Sequence, residues 1–182
     1  MLKKLVQKQL FFGMAFLSFS LIVMTAMAQE KLTTQSKVTI NAIGSIRVGM
    51  TPQQATQSSG VPIVLNDRPD PQCAYYKPQG KPKDIWFMVN NGTISRIDIV
   101  NPQITTLSGA KIGDTEAQIK SLYPGQIQVT PHKYVEKGHY LTFVPKDAVD
   151  KNYRLIFETD GKRVTRYRSG KLPEVEWVEG CS

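Results

Sequence analysis

The chain has 182 residues, enough for one ordinary domain with its own core. Its 23 basic and 15 acidic residues give a net charge of +8, but acids interleave with bases and no block of five like charges occurs. That pattern argues against a nucleic-acid partner.

At the N-terminus, Lys3, Lys4 and Lys8 form a positive start free of acids, and an apolar stretch runs from Leu10 to Met24. Ala26-Met27-Ala28 then supplies a small-x-small cleavage site, so residues 1–28 read as a signal peptide cleaved before Gln29. The competing reading is a retained anchor, but the stretch contains Ser18 and Ser20 and is short for a span of about 20 residues. No Cys follows the cleavage site, so the signal is not of the usual lipoprotein form. Losing those three lysines leaves 20 basic and 15 acidic residues, a charge of +5. The expectation is a soluble monomer, periplasmic or secreted, with no stable membrane span after cleavage. Residues 29–40 read as a flexible segment ahead of one domain, 41–182.

That domain begins with an internal similarity. Ile46-Arg47-Val48-Gly49-Met50-Thr51-Pro52-Gln53-Gln54-Ala55 resembles Ala110-Lys111-Ile112-Gly113-Asp114-Thr115-Glu116-Ala117-Gln118-Ile119, at an offset of 64. Gly, one residue, then Thr is a helix opening, because the Thr oxygen can accept from amides two or three residues on. Pro52 and Glu116 suit a first turn. Gly60-Val61-Pro62 and Pro124-Gly125 end the two helices. Tyr75-Tyr76 falls against His139-Tyr140 at the same offset, and Phe87 meets Phe157 after the spacing grows to 70.

Each unit thus reads as a short helix followed by three strands. Residues 73–77, 84–90 and 93–100 serve in the first, with Asn90-Asn91-Gly92 as the hairpin turn. Residues 138–144, 153–159 and 163–168 serve in the second, with Asp160-Gly161 at the equivalent turn. Residues 126–130 and 174–178 alternate as extra edge strands. The expected fold class is α+β, a tandem repeat of a short helical segment plus a three-stranded antiparallel sheet, with the helices on one sheet face. Repeat one spans about 44–103, repeat two about 108–170, and a tail runs over 171–182.

Cys73 and Cys181 are the only cysteines. In an oxidising compartment an even pair reads as a disulfide, here closing a loop of more than a hundred residues. The alternatives are two free thiols, or a zinc site completed by His132 and His139, whose spacings match no common pattern.

Strand alternation sorts the side chains. Ile85, Phe87, Val89, Ile97 and Ile99 take the core face with Leu155, Phe157 and Tyr167. The opposite face then carries Tyr76, Trp86, Met88, Arg96, Tyr140, Arg166 and Arg168. Aromatics and Arg dominate protein–protein contacts, and aromatics also stack on sugar rings. The bland reading is an ordinary wet sheet face, with Trp86 covered by the N-terminal segment or by the tail that carries Trp177.

Pro131 to Tyr140 holds both histidines, yet no Gly-x-Ser-x-Gly elbow or free thiol accompanies them, and His-x6-His alone is a weak ligand pattern. A hydrolase using His132 and His139 is the least favoured reading. No catalytic residue, metal or cofactor is expected.

Val48-Gly49-Met50-Thr51 and Ile112-Gly113-Asp114-Thr115, with Gly60-Val61-Pro62 closing the first helix, resemble the β-lactamase inhibitory protein-like fold. That group includes the small outer-membrane assembly lipoproteins of the SmpA/OmlA type. The resemblance implies a non-enzymatic protein whose concave sheet face meets a protein partner. This chain departs from it at Pro124-Gly125 and in lacking a lipid-attachment Cys. The stretch from Tyr153 to Cys181 is similar to exported bacterial proteins sometimes labelled lectin, which implies carbohydrate binding. The expected function is a non-catalytic envelope protein binding a protein partner through its exposed sheet face. The alternative is a carbohydrate-binding, lectin-like protein acting on cell-wall glycan.

Overall fold

The computed structural model describes residues 30–66, 70 and 72–181. The expected signal peptide lies outside the described residues. Two short strands, β1 (Ala42–Ile43) and β2 (Ile46–Arg47), pair as a small hairpin. Helix α1 (Pro52–Ser59) follows, then β3 (Ile63–Leu65), β4 (Cys73–Pro78), β5 (Ile85–Asn90) and β6 (Thr93–Ile99). The chain continues through helix α2 (Glu116–Leu122) to β7 (Ile127–Pro131), β8 (His139–Phe143), β9 (Tyr153–Thr159) and β10 (Val164–Lys171). A 3-10 turn at Glu174–Glu176 opens the C-terminal tail.

Strands β3 to β10 form one antiparallel sheet in the order β3-β4-β5-β6-β10-β9-β8-β7. The expected α+β repeat of one helix and three strands is therefore corrected. The fold is mostly β: an eight-stranded sheet with a two-stranded one beside it. Two physical features overturn the expectation. First, the helices have only eight and seven residues, about two turns each, and bury only Ala55, Ser59 and Ile119, too little to form a layer. Second, β6 pairs with β10, Tyr167 opposite Ile99 and Ser169 opposite Ile97, which makes the sheet continuous. Residues 174–178, expected as an edge strand, instead form the 3-10 turn and the start of the tail.

The helix openings are well determined. Thr51 and Thr115 each accept from the amide three residues on, while Gln54 and Gln118 reach back to the capping backbone, two complete capping boxes. Gly49 and Gly113 both take left-handed backbone, φ +94 and +93. These turns let Gly49 N donate to Ile94 O at 2.8 Å and Gly113 N donate to Val164 O at 2.9 Å, stitching each helix opening to the sheet.

One face of the sheet carries the main core: Ile85, Phe87, Ile97, Ile99, Leu141, Leu155, Phe157 and Tyr167, joined by Ala55 and Ile119 from the helices. Burying a side chain of this size stabilises by about 1.5–3 kcal/mol. The segment 29–40, expected to be flexible, contributes Leu32 and Val38 to the same cluster, and Val38 bridges to Ile43 and Thr106. Apolar side chains there gain more by burial than the segment gains by staying free.

Candidate functional site

The second sheet face is crossed by the tail, residues 172–181. Cys181 ends it in a disulfide with Cys73 at the start of β4, Cα atoms 5.4 Å apart. Cys73 and Cys181 are thus the expected pair. Two buried arginines hold the middle of the tail through its carbonyls. Arg96 donates from Nη1 to Glu174 O at 3.2 Å and to Trp177 O at 2.7 Å, and Arg168 donates from Nε to Val175 O at 2.6 Å. Asn90 donates to the Glu174 carboxylate at 2.8 Å. Val175 packs with Tyr140 and Ile156 in a small second core. Gly180 passes so near the Tyr75 hydroxyl that a Cβ would collide with it, and its φ is +72. Glycine alone allows that approach.

Beneath the tail lies a charge cluster centred on Glu158. Its carboxylate accepts from Arg168 Nη1, from Arg166 Nε at 2.8 Å and from His132 Nε2 at 3.3 Å. Burial alone would raise this carboxyl, but Arg168, Arg166 and the His132 hydrogen bond outweigh it and hold it below the usual carboxylate range. His132 Nδ1 accepts from the amides of Tyr134 and Val135 at 3.0 and 3.2 Å, which leaves Nε2 to carry the hydrogen donated to Glu158. The ring also stacks on Tyr140, centroids 4.5 Å apart. His139 contacts Glu116 through Nδ1 at 2.7 Å, far in role from His132. Both histidines are held by structural partners. Among the described residues no three of His, Cys, Asp and Glu come together as a metal-binding group.

Beside the tail the face stays open as a cleft of about 290 Å³, lined by Asn66, Tyr75, Trp86, Asp98, Arg166, Glu179 and Gly180, among others. Trp86 is half-buried, and Lys77 Nζ lies 5.7 Å from its ring centroid on the side of a neighbouring hollow. Tyr75 accepts from Arg96 Nη2 at 2.6 Å, which leaves its own hydroxyl hydrogen to donate. Burial, seconded by the Asp98 carboxylate, pushes that hydroxyl up to about 12 against the opposing arginines, so it stays protonated. Asp98 is held by Arg96 Nε at 2.8 Å.

The seven residues expected on an exposed face separate into four situations. Trp86 and Arg166 are accessible and line the cleft. Met88, Arg96 and Arg168 lie on the expected side but are buried, and the two arginines hold the tail. Tyr140 lies on that side too, in the second core. Tyr76 is corrected: it packs against the main core, on the opposite side from Tyr140. The reason is register, since Tyr76 sits opposite the core residue Phe87, whereas Tyr75 sits opposite Met88. Sequence reasoning missed Tyr75 as a site residue because the offset of 64 gave its place to Tyr76; the cross-strand pairing of Tyr75 with Met88 puts it on this face.

No family model matches the chain, and no curated protein matches it. A crystal structure of the uncharacterized protein yfeY from Escherichia coli is similar over 75% of this chain and 100% of that chain, with 15% identity and a TM-score of 0.49. No enzyme family is indicated by these comparisons.

Proposed function

We propose that the protein is a non-catalytic, exported binding protein that takes a saccharide in the cleft beside Trp86. The observation that carries this reading is the half-buried Trp86 at a cleft of about 290 Å³ with Asn66, Asp98, Tyr75 and Arg166 converging on it. An aromatic surface with a few placed polar groups is the composition of a small-ligand site. Support for export comes from the Cys73–Cys181 disulfide, a bond that persists in oxidising compartments. Among the described residues no helix is long and apolar enough to cross a membrane.

An envelope protein partner on the broad sheet face is the second reading. A stable protein interface covers about 800 Å² on each partner, and the tail occupies much of the face that would supply it. What favours this reading is the tail itself, where Trp177 and Val178 are each 37% exposed.

A glycan array followed by calorimetry separates the two. Wild type should bind at least one cell-wall-type glycan, and Trp86→Ala should weaken that binding tenfold or more while melting normally. Absence of binding to every glycan at high micromolar protein would remove the first reading, and envelope protein recovered equally by wild type and Trp177→Ala would remove the second.

A further inference from the structure

We infer that the saccharide is acidic, and that Arg166 takes its carboxylate. This rests on the saccharide reading and names its ligand class.

The argument is one of charge and of donor geometry. Among the described residues that line the cleft, the charged side chains pair off with one exception. Arg96 is matched by Asp98 at 2.8 Å, Glu179 by Lys133 at 2.8 Å, and buried Glu158 by buried Arg168. Arg166 also reaches Glu158, but that carboxylate is already neutralised by Arg168, so Arg166 brings a surplus positive charge to the cleft wall.

Its orientation is set from behind. Nε donates to Glu158 Oε2 at 2.8 Å, and the Glu158 side chain is only 7% exposed and fixed by Arg168 and His132. One position of the guanidinium is therefore spent on a rigid anchor. Among the described residues its Nη1 and Nη2 donate to nothing, and the Arg166 side chain is 59% exposed. A planar guanidinium presents such donors as a fork that matches a carboxylate two to two. The Tyr75 hydroxyl, held protonated, adds a neutral donor to the same cleft. Trp86 then offers an apolar surface for the ring that bears the acid, and Asp98 and Asn66 remain for hydroxyls.

The test uses the whole mature chain and two probes: a tetrasaccharide of galacturonic acid, and the same tetrasaccharide with its carboxylates reduced to alcohols. Calorimetry at low salt should show the acidic probe bound at least tenfold more tightly. Arg166→Gln should bring the acidic probe down to the level at which the same variant binds the reduced one. Arg166→Lys, which keeps the charge and loses the fork, should recover only part of the difference. Thermal unfolding of each variant guards against a folding defect, and a tenfold preference that survives Arg166→Gln in a folded protein overturns the assignment. Equal binding of both probes by wild type overturns acid recognition while leaving the saccharide reading standing. Binding of neither, with no neutral glycan bound on the array, overturns the saccharide reading itself.

Discussion

Glu158 accepts from three cationic or polar donors while almost wholly buried, so its removal leaves the greatest imbalance under the tail. Glu158→Gln would strand the Arg168 guanidinium, itself 4% exposed, without its counter-charge. Breaking a buried pair in this way costs about 3–5 kcal/mol, to be read as a drop in urea midpoint at constant slope. The same carboxyl sets a pH dependence. Its folded value lies below the ordinary 4.5, so its stabilisation is full above that pH and is lost as pH falls through the lower, folded value. Wild type should lose stability on acidification below about pH 4.5 more steeply than Glu158→Gln, which has no such proton to take up. The site was only half legible at this scale. Trp86 and Arg166 followed from alternation, but carrying the offset of 64 from Tyr140 back to Tyr76 misplaced one tyrosine. In a strand a single-residue slip exchanges the two faces, so Tyr75 took the place given to Tyr76.

The elements themselves were largely written in the chain. Alternation located β5, β6, β8, β9 and β10 to within a few residues, and Gly-x-Thr marked both helix starts. The capping boxes explain why so short a signal suffices: Thr51 and Thr115 satisfy amides that a helix of two turns cannot satisfy internally. Thr115→Ala should cost about 1 kcal/mol, measured by chemical denaturation, and Thr115→Ser should restore most of it. The three-residue β3 gave no usable alternation, since so short a run cannot show a period. The tail was misread for another reason. Glu174 to Val178 alternates like a strand, yet its carbonyls are taken by Arg96 and Arg168 from below rather than by a neighbouring strand. Arg96, 78 and 81 positions from the carbonyls it holds, joins Arg168, seven positions from Val175, in deciding its conformation, and no local alternation carries that information.

At the scale of the whole molecule, the expected layer of helices gave way because pairing β6 with β10 lets eight strands share one core. The disulfide spans 108 positions, for which the chain-entropy model gives about 4–5 kcal/mol. Reduction should lower the melting temperature. Hydrogen exchange should then show the strap loosening first beyond Trp177, because up to that residue the arginines still hold its backbone. Cleft binding should weaken together with that loosening, since Glu179 and Gly180 form one wall.

Bridging Cys73 to Cys181 also turns seven of the eight sheet strands into a covalent ring, with β3, the helix before it and the N-terminal segment hanging from it as an arm. A single cut by an envelope protease at any loop within the ring opens the circle without releasing a fragment, and the two pieces stay tethered until a reductant reaches the bond. Such a molecule survives nicking as one particle, a form of durability that no count of its packing or hydrogen bonds would disclose.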